Sequence, residues 1–136
     1  MNVKPKLPCV YCGFPIKRKN KKYCNNQCAA NFIKQQIKIS IENGTYKYNS
    51  IGQYRNYLIN KFGVACSLCG WAKINPYLGQ CPIELDHIDG NPLNNDLNNL
   101  RLLCPNCHSL QKTYKRLNYG NGRYFRTKRY KEGKSY

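Results

Sequence analysis

The spacing of the cysteines limits how this chain folds more than any other feature. The chain has nine cysteines in 136 residues. Eight of them fall in four CxxC or CxxxC pairs: Cys9/Cys12, Cys24/Cys28, Cys66/Cys69 and Cys104/Cys107. Two thiolates so close in sequence can bind one zinc ion from a tight turn, whereas disulfide partners usually lie farther apart. The pairs therefore favour metal over disulfides, and they predict two structural Zn²⁺ ions, each bound by four cysteines.

The length of the chain fits such a structural use of metal. A chain of 136 residues has room for one modest domain, or for two small modules that need support beyond a hydrophobic core. The odd cysteine, Cys81, is predicted to be a buried free thiol, with zinc binding as the alternative. Residues 1–8 lack the apolar segment of a secretory signal, and no apolar run approaches the roughly 18 residues of a membrane span. The cytoplasm is the predicted location, with no membrane partner.

Positive charge is concentrated at both ends of the chain. The formal net charge is +17, and residues 1–65 carry 12 lysines and arginines against one acid. Residues 66–110 carry two against four acids, and residues 111–136 carry nine against one. Basic flanks around a slightly acidic centre predict a polyanionic partner. The residues predicted to contact its phosphates are Lys17, Arg18, Lys19, Lys21, Lys22, Lys112, Lys115, Arg116, Arg123, Arg126, Lys128 and Arg129.

Apolar periodicity and turn residues predict a small set of elements. A helix is predicted over residues 29–43, ended by Gly44, and another over residues 51–62, between Ser50 and Gly63. Their apolar stripes are Phe32, Ile33, Ile37 and Ile41 in the first, and Ile51, Tyr54, Leu58 and Phe62 in the second. Short strands are predicted over residues 83–87 and 100–103. A third helix is predicted from Cys104 to about Asn118, followed by a tail that is partly ordered only on its target.

Both histidines of the chain lie in one motif. The first belongs to the segment Glu-Leu-Asp-His-Ile-Asp-Gly-Asn at residues 84–91. The second ends the segment Asn-Asn-Leu-Arg-Leu-Leu-Cys-Pro-Asn-Cys-His at residues 98–108. With the CxxC pair upstream, this pattern resembles the HNH endonuclease family over about residues 64–113. The helix and the cysteine motif that precede it resemble, less specifically, what phage-encoded HNH proteins carry there.

The resemblance implies a small α+β fold that zinc stabilises. A ββα-metal nuclease core would be preceded by helices and an N-terminal zinc-finger module. The implied division is a zinc finger with its following helix over residues 1–44, a linker and connecting helix over 45–63, the nuclease core over 64–118 and a basic, aromatic tail over 119–136. In the core, zinc would hold the start of the last helix against the segment before the first strand.

The resemblance also implies roles for the motif residues. His87 would be the general base, because histidine titrates near neutral pH. Asp86, on the opposite face of the same strand, and His108 would bind a catalytic Mg²⁺ or Mn²⁺. Asn99 would hold the loop and orient the ring of the base, with the adjacent Asn98 as the alternative.

The implied activity is cleavage of double-stranded DNA that leaves a 5′-phosphate and a 3′-hydroxyl. One centre would nick one strand, so the protein would act as a monomer or as a homodimer on DNA. Alternatives stay open: a non-catalytic zinc protein that binds or regulates DNA, an RNA-directed nuclease, and His108 as a zinc ligand. Glu84 is either a helper or a polar strand residue. A homing-type, restriction-like or packaging and recombination role fits the sequence equally.

Overall fold

The structure is a computed structural model that describes residues 7–17, 21–47, 50–120 and 124–134. It divides the chain into two compact units, Met1–Tyr46 and Lys47–Tyr136. Three of the basic residues predicted to bind phosphates, Arg18, Lys19 and Arg123, lie outside the described residues. The four-part division of the chain stays a prediction.

The first unit combines a cysteine-bearing turn with one helix. An antiparallel bridge between Pro8 and Pro15 closes the turn. The buried cluster beside it consists of Cys9, Ile16 and Cys28, with Tyr23 packed against it. A cluster this small removes little apolar surface from water. Two of its three members are cysteines, which fits a fold that depends on metal.

Helix α1 spans Asn26–Glu42 and begins three residues before its predicted start. The side chain of Asn25 accepts a hydrogen bond from the N–H of Cys28 at 2.7 Å. Such a cap satisfies one of the N–H groups that a helix start leaves unpaired, which accounts for the earlier start. The helix ends before Gly44, which adopts a φ of +66°. Ile41 of the predicted stripe is buried, but Ile33 is exposed, so the stripe is wrong at that position.

Helix α2 spans Ile51–Phe62, the range that the sequence predicts, and Ser50 is its N-cap residue. It ends at Gly63, whose φ is +86°. The buried residues are Tyr54, Tyr57 and Leu58. Ile51 and Phe62 are exposed, so the predicted stripe is wrong at both ends. The helix packs against the sheet through its middle turns. Tyr57 is buried there, although it is not part of the predicted stripe.

Strands β1 (Glu84–His87) and β2 (Leu100–Leu103) form an antiparallel two-stranded sheet. Asp86 lies opposite Arg101 in the register. β2 has its predicted bounds, and β1 starts one residue later than predicted. The most deeply buried residues at the sheet are Ile83, Leu102 and Leu103. Helix α2 covers this sheet, so its apolar face is buried without a large core.

Helix α3 spans only Pro105–Ser109, which makes the predicted helix to about Asn118 wrong. The side-chain amide of Gln111 donates to the carbonyl oxygen of Cys107 at 2.6 Å. That carbonyl would pair with a backbone N–H if the helix continued, so the side chain replaces the next turn.

The chain after α3 passes over the loop that follows β1. A 3₁₀ turn spans Lys115–Asn118, and the Asn118 amide donates to the carbonyl oxygen of Gly90 at 2.7 Å. Gly90 has a φ of +75°, and a Cβ there would overlap the side chains of Asn118 and Thr113. This tertiary contact outweighs the helical preference of the segment.

The C-terminal tail contains helix α4, Tyr124–Lys131. It is strongly basic, with Lys128, Arg129 and Lys131 in its last turn. Within the described parts of the chain, no helix combines the length and the apolar character needed to cross a membrane.

Candidate metal centres and active site

Two groups of four cysteines could each hold a metal ion in the described part of the chain. The first cysteine set is Cys9, Cys12, Cys24 and Cys28, and the second cysteine set is Cys66, Cys69, Cys104 and Cys107. The sulfur atoms of each set lie within 4.8 Å of one another. Cys81 is buried and belongs to neither set.

The sulfur spacings suit tetrahedral zinc. Sulfur separations of 3.4 to 3.6 Å join Cys12, Cys24 and Cys28, and 3.8 Å separates Cys69 from Cys104. Zn–S bonds of about 2.3 Å at tetrahedral angles place the sulfurs about 3.8 Å apart. Both sets therefore fit one Zn²⁺ each.

The thiols of each set have divergent acidities. Burial opposes ionisation of Cys66, but backbone N–H groups of Cys104, Cys69 and Leu68 outweigh it and lower its pKa to about 6. The hydrogen bond with Cys69 raises the pKa of Cys107 to about 12. A metal ion in the set would take all four sulfurs as thiolates.

The first cysteine set shows the same pattern. The pKa of Cys9 is lowered to about 6, because backbone N–H groups, those of Cys12 and Cys24 foremost, outweigh the opposing effect of burial. The hydrogen bond with Cys24 raises the pKa of Cys28 to about 12. The two sets therefore offer the same metal chemistry.

The second cysteine set is attached to the sheet. The backbone N–H and the hydroxyl of Ser67 both donate to the carbonyl oxygen of Leu102 on β2, each at 2.8 Å. Cys104 follows β2 directly and is the N-cap residue of α3. A metal in this set would join the 66–69 turn, β2 and α3, and His108 comes one residue after the last ligand.

His87 lies at the end of β1 and is half-buried. Its Nε2 atom is 3.0 Å from Oδ1 of Asn95. An amide oxygen only accepts hydrogen bonds, so this contact requires the tautomer in which Nε2 carries the proton, and that tautomer has its lone pair on Nδ1. Asn95 was not among the predicted site residues, since nothing in an asparagine-rich loop singles it out before the path of the loop is known.

Asn99 holds the two ends of the loop between the strands. Its side chain accepts from the N–H of Asp89 at 3.0 Å and donates to the Asp89 carboxylate at 2.9 Å and to the carbonyl oxygen of Asn94 at 2.9 Å. The pKa of Asp89 is lowered, mainly by the hydrogen bond from the N–H of Asn91 and next by the hydrogen bond from the side chain of Asn94. Asn98 is exposed. Asn99 thus contacts the loop, whereas Asn95 contacts the ring of His87.

Asp86 and His108 face each other across the space between β1 and α3. Asp86 is only 5% exposed, and its Oδ1 lies 3.7 Å from Nε2 of His108. The Nδ1 atom of His108 is 2.5 Å from a carboxylate oxygen of Glu84. Adjacent ligands of an octahedral Mg²⁺ lie about 3.0 Å apart and opposite ones about 4.2 Å, from bonds near 2.1 Å. The separation of 3.7 Å lies between these two values, and Glu84 contacts the opposite ring nitrogen of His108.

Arg101 is a second residue that the sequence analysis did not select. Its Nε donates to Oδ2 of Asp86 at 2.7 Å. Its position opposite Asp86 would have indicated this residue, but that position is known only once the register of the two strands is known.

The basic residues predicted to bind phosphates are exposed wherever the structure describes them. In the first unit these are Lys17, Lys21 and Lys22, and in the second they are Lys112, Lys115, Arg116, Arg126, Lys128 and Arg129. The Lys115 ammonium lies 4.9 Å from the ring centre of Tyr114. The side chains of this group are accessible to a polyanion within each unit.

Comparison with known proteins found one curated relative at the level of sequence. No family model matches the chain, and no solved structure matches it. The chain is 40% identical over 80 residues to the H-N-H endonuclease F-TflIV of Escherichia phage T5. Over that stretch the chain is homologous to an HNH endonuclease. The match covers 55% of this chain and 35% of the phage protein. It confirms the HNH resemblance that the histidine motif predicts.

Proposed function

We propose that this chain is a metal-dependent DNA endonuclease of the HNH type. The observation that carries the proposal is the placement of Asp86 and His108, 3.7 Å apart, beside a histidine whose ring is held by an amide oxygen. The homology to a phage endonuclease supports the same activity. A phage homing-type nuclease is the proposed biological setting, in keeping with the source of that relative.

The mechanism assigns one task to each side chain. His87 is the general base: its Nδ1 takes a proton from the attacking water, while Asn95 holds the opposite ring nitrogen. Oδ1 of Asp86 and Nε2 of His108 are the ligand atoms for Mg²⁺ or Mn²⁺. Such an ion, when bound, neutralises charge on the phosphate and stabilises the leaving 3′ oxygen. The water oxygen bonds to phosphorus, the P–O3′ bond breaks, and the leaving 3′ oxygen takes a proton from a solvent water, which leaves a 5′-phosphate and a 3′-hydroxyl.

Double-stranded DNA is the proposed substrate, and the exposed basic residues of both units are its proposed phosphate contacts. The net charge of +17 supports a polyanionic partner, and the two cysteine sets are proposed to hold structural Zn²⁺. One centre holds one base and one ligand pair, so a monomer cuts one strand at each encounter. Cutting both strands at once requires a homodimer.

A plasmid time course tests the activity. Pure protein with supercoiled plasmid and Mg²⁺ or Mn²⁺ should give open circle first and linear DNA only later, whereas the same reaction with EDTA should give neither. Nicks that DNA ligase reseals directly carry the expected 5′-phosphate and 3′-hydroxyl ends. Light scattering on the same sample gives the oligomeric state.

The outcomes separate the alternatives. DNA binding without cleavage under any of these conditions identifies a non-catalytic binding protein and refutes the nuclease proposal. Cleavage of RNA of the same sequence in preference to the plasmid refutes the DNA assignment. Concerted linearisation by a protein that stays monomeric on DNA refutes the argument of one strand per centre.

A further inference from the structure

Arg101 links the two elements that carry the proposed metal ligands. Its Nε donates to Oδ2 of Asp86 on β1 at 2.7 Å, and its Nη2 donates to Oε1 of Gln111 at 2.6 Å. Gln111 in turn donates through Nε2 to the carbonyl oxygen of Cys107 at 2.6 Å. Cys107 precedes His108 on α3. Hydrogen bonds therefore run without a gap from one proposed ligand to the backbone beside the other.

This chain of hydrogen bonds fixes what Asp86 presents. The carboxylate is 5% exposed, and a buried carboxylate needs a partner to remain charged. Arg101 supplies that partner at Oδ2, which leaves Oδ1 facing His108 at 3.7 Å. A planar guanidinium holds both of its partners in a fixed geometry, which an ammonium group does not do.

Resting on the proposed function, we infer that Arg101 and Gln111 are positioning residues of the metal centre. They keep Asp86 as a ligand through one oxygen and set its distance from His108. Because Arg101 occupies Oδ2, one oxygen of Asp86 remains for a metal, which suits Mg²⁺ or Mn²⁺ better than Ca²⁺, an ion that often binds both oxygens of a carboxylate.

Neither residue touches the proposed ion or the substrate, so their contribution is expected in metal affinity. Residues that orient metal ligands typically change metal affinity or activity by about 10- to 100-fold when replaced. A purely structural role would instead lower stability and the amount of active protein, and added metal would not restore the rate.

The experiment is a Mn²⁺ titration of the full-length, zinc-loaded protein, with free Mn²⁺ measured by electron paramagnetic resonance. Gln111→Ala should raise the Kd for Mn²⁺ by about 10-fold or more, with unchanged zinc content, and its cleavage rate should recover at saturating Mn²⁺. Arg101→Lys keeps the positive charge but loses the planar guanidinium that contacts both Asp86 and Gln111. It should therefore weaken Mn²⁺ binding to a similar degree. Gln36→Ala, at an exposed position on α1, is the matched control and should change nothing.

Each outcome has a stated meaning. A Gln111→Ala protein that binds Mn²⁺ as the wild type does, or whose rate saturating Mn²⁺ fails to restore, overturns the inference. If Gln111→Ala loses zinc, Gln111→Glu decides: it keeps the acceptor for Arg101 and loses the donor to Cys107, and an unchanged Kd overturns the inference. If the wild-type protein binds Mn²⁺ but cuts no DNA, the nuclease proposal is refuted, and the Mn²⁺ affinities of the variants can still be compared. A wild type that binds no Mn²⁺ overturns both.

Discussion

The two cysteine sets have the same ligands and different neighbours. The first lies between a turn and α1, beside Ile16 and Tyr23, in the unit Met1–Tyr46. The second lies where β2 ends and α3 begins, and His108 comes directly after its last cysteine. A zinc ion in each set would therefore join different elements in the two units. What a structural metal does is decided by the elements that it joins.

The acidic residues are concentrated in one part of the second unit. Residues 1–46 carry nine lysines and arginines against the single acid Glu42, whereas four of the six acids of the chain lie in residues 66–110. Residues 1–46 are proposed to contact phosphates and residues 66–110 to supply metal and proton chemistry, while the basic residues after position 110 add proposed phosphate contacts in the second unit. If this division holds, DNA affinity and cleavage rate should respond to different mutations.

The largest expected effect comes from removing half of one cysteine set. The double variant Cys66→Ser/Cys69→Ser should lose one zinc and all cleavage, because the turn, β2 and α3 lose the ion that joins them. The matched variant Cys9→Ser/Cys12→Ser should also lose one zinc yet keep cleavage at high protein concentration, with weaker DNA binding. Zinc analysis and a plasmid assay measure both. Equal loss of activity in the two variants would show that the sets are not functionally distinct.

A smaller effect, confined to the chemistry, is expected for His87→Ala. Removal of a general base typically lowers the rate by about 10²- to 10⁴-fold. The fold and the affinity for DNA should stay as in the wild type, since the half-buried ring contributes one side-chain hydrogen bond, to Asn95. Single-turnover cleavage and a binding isotherm on the same duplex separate the two quantities. A rate near that of the wild type would show that another group is the base.

The smallest effect is expected from the exposed lysines of the first unit. Lys17→Ala/Lys21→Ala/Lys22→Ala should weaken DNA binding and make the slope of log K against log salt less steep, by up to about 2.7, from about 0.9 for each lost phosphate contact. The single-turnover rate of bound DNA should not change. The same three positions changed to Arg keep the charge and should keep the slope. An unchanged slope in the alanine variant would place the phosphate contacts elsewhere.

The sequence predicted the parts of the molecule whose signals are local. Helix α2 and strand β2 have their predicted bounds, and Ser50 and Gly63 mark the two ends of the helix in the sequence. Helix α3 was predicted too long because its end depends on a side chain and on a contact with Gly90 from another part of the chain. Both are tertiary features that periodicity does not contain.

The residues of the candidate site also differ in whether their sequence signals are local. The motif pattern selected Asp86, His87 and His108, which the fold brings to one strand and the helix beside it. Asn95 and Arg101 escaped selection, since one depends on the path of a loop and the other on strand register. The residues that orient the site are therefore harder to predict from sequence than the residues that carry its chemistry.

The order of the ligands along the chain has a consequence for synthesis. The two halves of the second cysteine set stand on either side of the segment that contains Glu84, Asp86 and His87, and 35 positions separate Cys69 from Cys104. A chain emerging from the ribosome can complete this set only when Cys107 appears, and His108 is the next residue to be added. A product that stops before Cys107 therefore has neither the complete cysteine set nor His108.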